Sequence, residues 1–112
     1  MQQITLEGAA WEPPQPSDPL ALHVLIVLQD GRTHGRQSIA AELGANLRQI
    51  RGAVAVLRHL GWPVCFGASG GYRLSWAADD LDALERKYRR QALSELRTLR
   101  LIRRARQAKG AA

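Results

Sequence analysis

Three residues, Gly44-Ala45-Asn46, separate two stretches of helical periodicity, and that short joint limits the folds open to the chain more than any other feature. Before it, Ile39, Ala40 and Leu43 recur at i, i+1 and i+4, which places them on one face of a helix from about Gly35 to Leu43. After it, Ile50, Val54 (or Ala53) and Leu57 recur at i, i+4 and i+7, the inner stripe of a helix from Leu47 to Leu60. Gly44 can end the first helix because glycine enters the left-handed region without steric cost, and Asn46 can cap the free amides of the second. Helices joined this tightly must cross and pack, so the pattern predicts two helices linked by a turn. Ala40 and Ala41 are small where the two approach.

The flanking segments extend the pattern. Asp18-Pro19 reads as a helix start, with Asp as the cap and Pro in the first turn. Leu20, Leu22, Val24, Leu25, Ile26 and Leu28 make that helix apolar on most sides, and Asp30-Gly31 ends it. Beyond Gly61, Trp62 to Phe66 reads as a strand, Gly67-Ala68-Ser69-Gly70-Gly71 as a turn and Tyr72-Arg73-Leu74 as the return strand. A small β-hairpin directly after the third helix is the arrangement called a wing.

Charge gives this frame a partner. The chain of 112 residues carries a formal net charge of +6. Residues 1–18 contribute −3, residues 19–78 contribute +4 and residues 79–112 contribute +5. Basic character of this size in a small chain points to a polyanion, most often nucleic acid. The outward residues of the third helix are Arg48, Gln49, Arg51, Gly52, Ala55 and Arg58. An arginine fork matches the O6 and N7 acceptors of guanine and a glutamine amide pairs with adenine, so this face suits the major groove of duplex DNA. The alternative is a solvated helix with ordinary surface arginines.

Leu43-Gly44, Ile50, Val54, Leu57-Arg58, Gly61 and Gly71-Tyr72-Arg73-Leu74 together resemble the N-terminal winged helix-turn-helix domain of the biotin repressor group. The resemblance covers roughly Leu20 to Leu74. It implies DNA binding by the segment 46–60, with Arg48, Gln49 and Arg51 on the recognition helix and Ser69 and Gly70 at the wing tip. Arg36, Asn46, Arg58 and Arg73 complete the expected DNA-binding set. One departure stands out: the family often has a basic residue just before its Gly-Tyr pair, where this chain has Ser69-Gly70. The catalytic domain that follows in the biotin repressor is not part of the pattern, so no biotin chemistry is expected.

The chain reads as three zones. Residues 1–18 form an extended arm ending in Trp11-Glu12-Pro13-Pro14-Gln15-Pro16, with Ile4 and Leu6 as a weak edge-strand pattern and Trp11 as a packing anchor. Residues 19–75 form the winged domain. Residues 76–112 form a long basic amphipathic helix, uninterrupted by Gly or Pro from Trp76 to Ala108, with Ser75 as its expected cap. Asp79, Asp80 and Asp82 open it and Arg103, Arg104 and Arg106 close it, as the helix dipole favours. Leu81, Leu84, Tyr88, Ala92, Leu96, Leu99 and Ile102 form one stripe along it. At ~1.5 Å per residue the helix is roughly 45 Å long, more than a small domain can cover, so a homodimer through Leu81, Leu84, Tyr88, Leu96, Leu99 and Ile102 is expected. The basic residues between Arg97 and Lys109 fit either a grip on phosphates or a solvated helix end.

Other functions find little support. His23, His34 and His59 have no metal spacing, and Cys65, the single cysteine, reads as a small buried hydrophobe. His34 reads as a surface residue near the second helix, with a phosphate contact as the alternative. No nucleophile has a partnered base, and neither a phosphate-binding loop nor a dinucleotide fingerprint is present. The expectation is therefore a cytoplasmic, dimeric, sequence-specific transcriptional regulator of bacterial or phage type, acting as a repressor, without enzymatic activity. No cofactor, metal, small-molecule ligand or membrane is expected. The competing expectation is an adaptor that assembles with proteins through the C-terminal helix.

Overall fold

Asp18 starts the first helix. Its carboxylate accepts the Ala21 N–H at 2.9 Å, Pro19 fills the first turn, and α1 runs over Pro19–Leu28. The computed structural model to which this belongs describes residues 11–110. The Ile4 and Leu6 strand pattern lies outside the described residues. After α1 come α2 (Arg36–Leu43), α3 (Leu47–His59), β1 (Val64–Phe66), a single 3-10 turn (Ala68–Gly70), β2 (Tyr72–Leu74) and α4 (Ala78–Ala108). The chain divides between Trp76 and Ala77 into two compact units.

In the first unit, local chemistry accounts for the joint between α2 and α3. Gly44 ends α2 at φ 64°, in the left-handed region that glycine enters freely. Asn46 and Gln49 then form a reciprocal capping box: Asn46 accepts the Gln49 N–H at 2.8 Å and Gln49 accepts the Asn46 N–H at 2.9 Å. The core draws one face from each helix. Ala21, Val24, Leu25 and Leu28 of α1 meet Ile39 and Ala40 of α2 and Ile50, Ala53, Val54 and Leu57 of α3. Trp62, Val64, Tyr72 and Leu74 close the cluster from the hairpin side. Each large aliphatic side chain buried in this way contributes about 1.5–3 kcal/mol. Ile26, which the pattern placed in a nearly all-apolar helix, is 59% exposed.

The hairpin is shorter than its sequence pattern. Pairing begins at Val64 and runs antiparallel, Val64 to Leu74, Cys65 to Arg73 and Phe66 to Tyr72. Trp62 and Pro63 are buried but lie outside the strand. Instead the Trp62 indole Nε1–H donates to the Pro14 carbonyl at 2.8 Å, and Pro13 and Pro16 are buried. Residues 11–16 of the proline-rich segment thus form neither helix nor strand and are docked on this unit. Trp11 is 71% exposed, yet its ring edge would touch any side-chain carbon placed on Gly61.

The second unit is α4, a helix of 31 residues. It begins two residues later than expected, and Ser75 is not its cap. Ala77 holds the cap position without a side-chain bond, while the Ser75 N–H donates to the Pro63 carbonyl beside the hairpin. Glu85 and Arg89 form an i,i+4 ion pair at 3.3 Å. No described helix is long and apolar enough to cross a membrane.

Candidate nucleic-acid interface

Helix α3 separates its two faces cleanly. Ile50, Ala53, Val54 and Leu57 are buried, while Arg48, Gln49, Arg51, Gly52 and Ala55 are exposed. The helix contains no Asp or Glu, so the positive end of its dipole and its early arginines reinforce each other. Gly52 has nothing within 4 Å of where a side chain would project, leaving open space against the helix backbone.

The capping box changes how two of the expected reading residues work. The side-chain oxygens of Asn46 and Gln49 are both bound to backbone amides at the helix start. Their amide nitrogens take no part in these two bonds and carry whatever donor capacity the pair offers a ligand. Arg48 and Arg51 carry their charge on the exposed face.

Arg58 is not an outward residue. It is half-buried, its Nε–H donates to the Val64 carbonyl at 2.8 Å, and its guanidinium lies 5.0 Å from the centre of the Phe66 ring. It fastens the end of α3 to β1. Arg73 is also half-buried, opposite Cys65 in the hairpin register. An arginine late in an amphipathic helix carries no sequence signal separating these two fates, because its partner is a backbone carbonyl six residues on.

The turn between the strands is exposed at Ala68, Ser69 and Gly70. Ser69 has φ 59° and Gly70 φ 77°, so two successive residues are left-handed. Arg36, in the first turn of α2, brings a guanidinium nitrogen to 3.5 Å from the point where a Gly70 side chain would start. The uncharged turn therefore has a positive charge beside it, supplied by a residue distant in sequence.

His34 proved to be structural. Its backbone bridges Tyr72 of β2, and its ring Nε2–H donates to both Asp30 carboxylate oxygens at 3.0 Å. The His34 hydrogen bond, followed by the Arg32 N–H bond, lowers the Asp30 carboxyl below its ordinary value. A one-residue bridge has no periodicity, so nothing in the pattern of His34 itself announced it. Cys65 is buried, as expected.

Along α4 no residue is buried. Leu81, Leu84 and Tyr88 are half-exposed, while Leu96, Leu99 and Ile102 are 50%, 39% and 59% exposed. No protein-family model, curated protein or solved structure matches this chain.

Proposed function

We propose that the chain is a winged helix-turn-helix protein that binds duplex DNA in a sequence-specific manner and regulates transcription as a repressor. In this reading α2 and α3 are the helix-turn-helix, the hairpin is the wing, and α3 lies in the major groove. The observation that carries it is the outer face of α3: exposed Arg48 and Arg51 without an acidic neighbour on the helix, set rigidly by the buried Ile50–Leu57 stripe behind them. Arg36 beside the wing turn would add a phosphate contact, as arginine forks do. Arg58 serves the hairpin's structure. The function is binding, without a reaction or a cofactor, and two copies act together through the exposed stripe of α4.

The test is a selection from random duplexes followed by mobility shifts with R48A and R51A. Each substitution should weaken the selected site by about 1–3 kcal/mol while random DNA loses much less. Equal binding by wild type and both variants would remove α3 as the reader. The exposed Leu96, Leu99 and Ile102 favour a second reading, a protein adaptor built on α4. That reading gains if no sequence is selected while α4 still assembles.

A further inference from the structure

Helix α4 carries a second charged surface that the reading of α3 does not use. At ~3.6 residues per turn, Arg86, Arg89, Arg90, Arg97, Arg100 and Arg104 fall within an arc of about 100° of its circumference. All six are exposed. They span about 27 Å of helix at ~1.5 Å per residue. No acidic residue shares the arc between Arg86 and Arg104: Glu95 projects from the far side, and Leu93 interrupts the row. Arg89 is paired with Glu85, so the strongest section is the C-terminal one. There Arg97, Arg100 and Arg104 line one shallow surface depression with Leu101.

We infer that this arginine row is a sequence-independent binding surface for the phosphate backbone of duplex DNA, separate from α3. Lining up like charges along a helix costs stability unless something offsets the repulsion, and a polyanion does so by releasing its own counterions. Guanidinium groups also match phosphate oxygens in a fork geometry that a simple point charge lacks. The position of the row favours a polynucleotide over a lipid surface. Its centre lies about 140° around the helix from the centre of the Leu81–Ile102 stripe at ~100° per residue. A helix on a bilayer needs its apolar stripe as the inserted face, and that stripe is the one that pairing of two copies would occupy. Covering the same stripe with a second copy of the chain leaves the row facing outward, where a duplex can reach it.

The experiment uses the full chain. Binding of a random-sequence duplex is followed by anisotropy over a salt series for wild type, R97Q/R100Q/R104Q and R97K/R100K/R104K, with helix content checked by circular dichroism. The Gln variant should flatten the log–log salt slope by about 2–3, near 0.9 per lost phosphate contact, and weaken low-salt binding roughly tenfold or more. The Lys variant should keep most of the slope, and neither should alter the preferred sequence. An unchanged slope in a folded Gln variant overturns the proposal, as does loss of binding to phosphatidylserine vesicles with the DNA slope intact. R48A/R51A separates the two sites: if it leaves sequence preference intact while the Gln variant still flattens the slope, the α3 reading fails and the arginine row stands.

Discussion

The backbone of His34 exchanges two hydrogen bonds with Tyr72, N–H to carbonyl in each direction at 2.9 Å. This bridge ties the α1–α2 connection to the hairpin. It also explains the glycine before Tyr72, since a side-chain carbon on Gly71 would sit 2.5 Å from the His34 carbonyl oxygen. Gly71→Ala should therefore force the bridge apart and cost about 1–3 kcal/mol, the usual penalty for overpacking. Urea unfolding measures it, and a stability within a few tenths of wild type would show that the bridge yields easily.

The Asn46–Gln49 box sets where α3 begins and so how its arginines are presented. Asn46→Ala removes one acceptor for the orphan amides and should cost about 1 kcal/mol. Arg48→Ala, on the exposed face of the same turn, should stay within about 0.5 kcal/mol of wild type. The contrast separates folding from binding: N46A lowers the denaturation midpoint, whereas R48A lowers DNA affinity alone. A midpoint drop of equal size in both would mean that Arg48 has a structural role.

What the sequence revealed and what it hid divide along a physical line. Helices α1 to α3, their caps and their buried stripes follow from contacts within a few residues, and Asp18, Gly44 and Asn46 mark them openly. The hidden features are contacts between distant residues: Trp62 with Pro14, Arg58 with β1, Arg36 with the hairpin turn and His34 with Tyr72. Each depends on how elements come together, and a single such pairing leaves no repeat to detect. The candidate site was legible to the same degree. Arg48 and Arg51 stand where the helical pattern puts them, whereas Arg58 was taken up by its contact with β1.

Asp30 carries the pH dependence of the loop before α2. Its carboxylate accepts from His34 Nε2–H and from the Arg32 N–H at 2.9 Å, and these bonds hold its carboxyl below the ordinary value of about 3.9. A carboxyl whose folded value is depressed stabilises the fold above its unfolded value and loses that contribution as pH falls through the folded one. Wild type should thus exceed Asp30→Asn in stability at neutral pH, and the two should converge in acid. A carboxyl titration by NMR gives the folded value directly. A midpoint at or above that of a free aspartate, or parallel pH curves for both proteins, would sink the prediction.

The stripe on α4 sets the expected assembly. Leu96, Leu99 and Ile102 follow one another at helical spacing, all exposed, on a helix without a single buried residue. Contiguous apolar surface of this kind is uncommon on a monomer and marks a contact. A second copy would cover it along a seam, each leucine contributing about 1.5–3 kcal/mol when buried. Wild type should therefore sediment as a dimer at micromolar concentration, and L96E/L99E, which puts like charges into the seam, as a monomer with α4 still helical. Two linked recognition helices discriminate far better than one, so the monomeric variant should lose most of its preference for the selected site while keeping weak binding to random DNA. A monomeric wild type ends this account of assembly, and full sequence preference in the monomeric variant shows that one α3 reads alone.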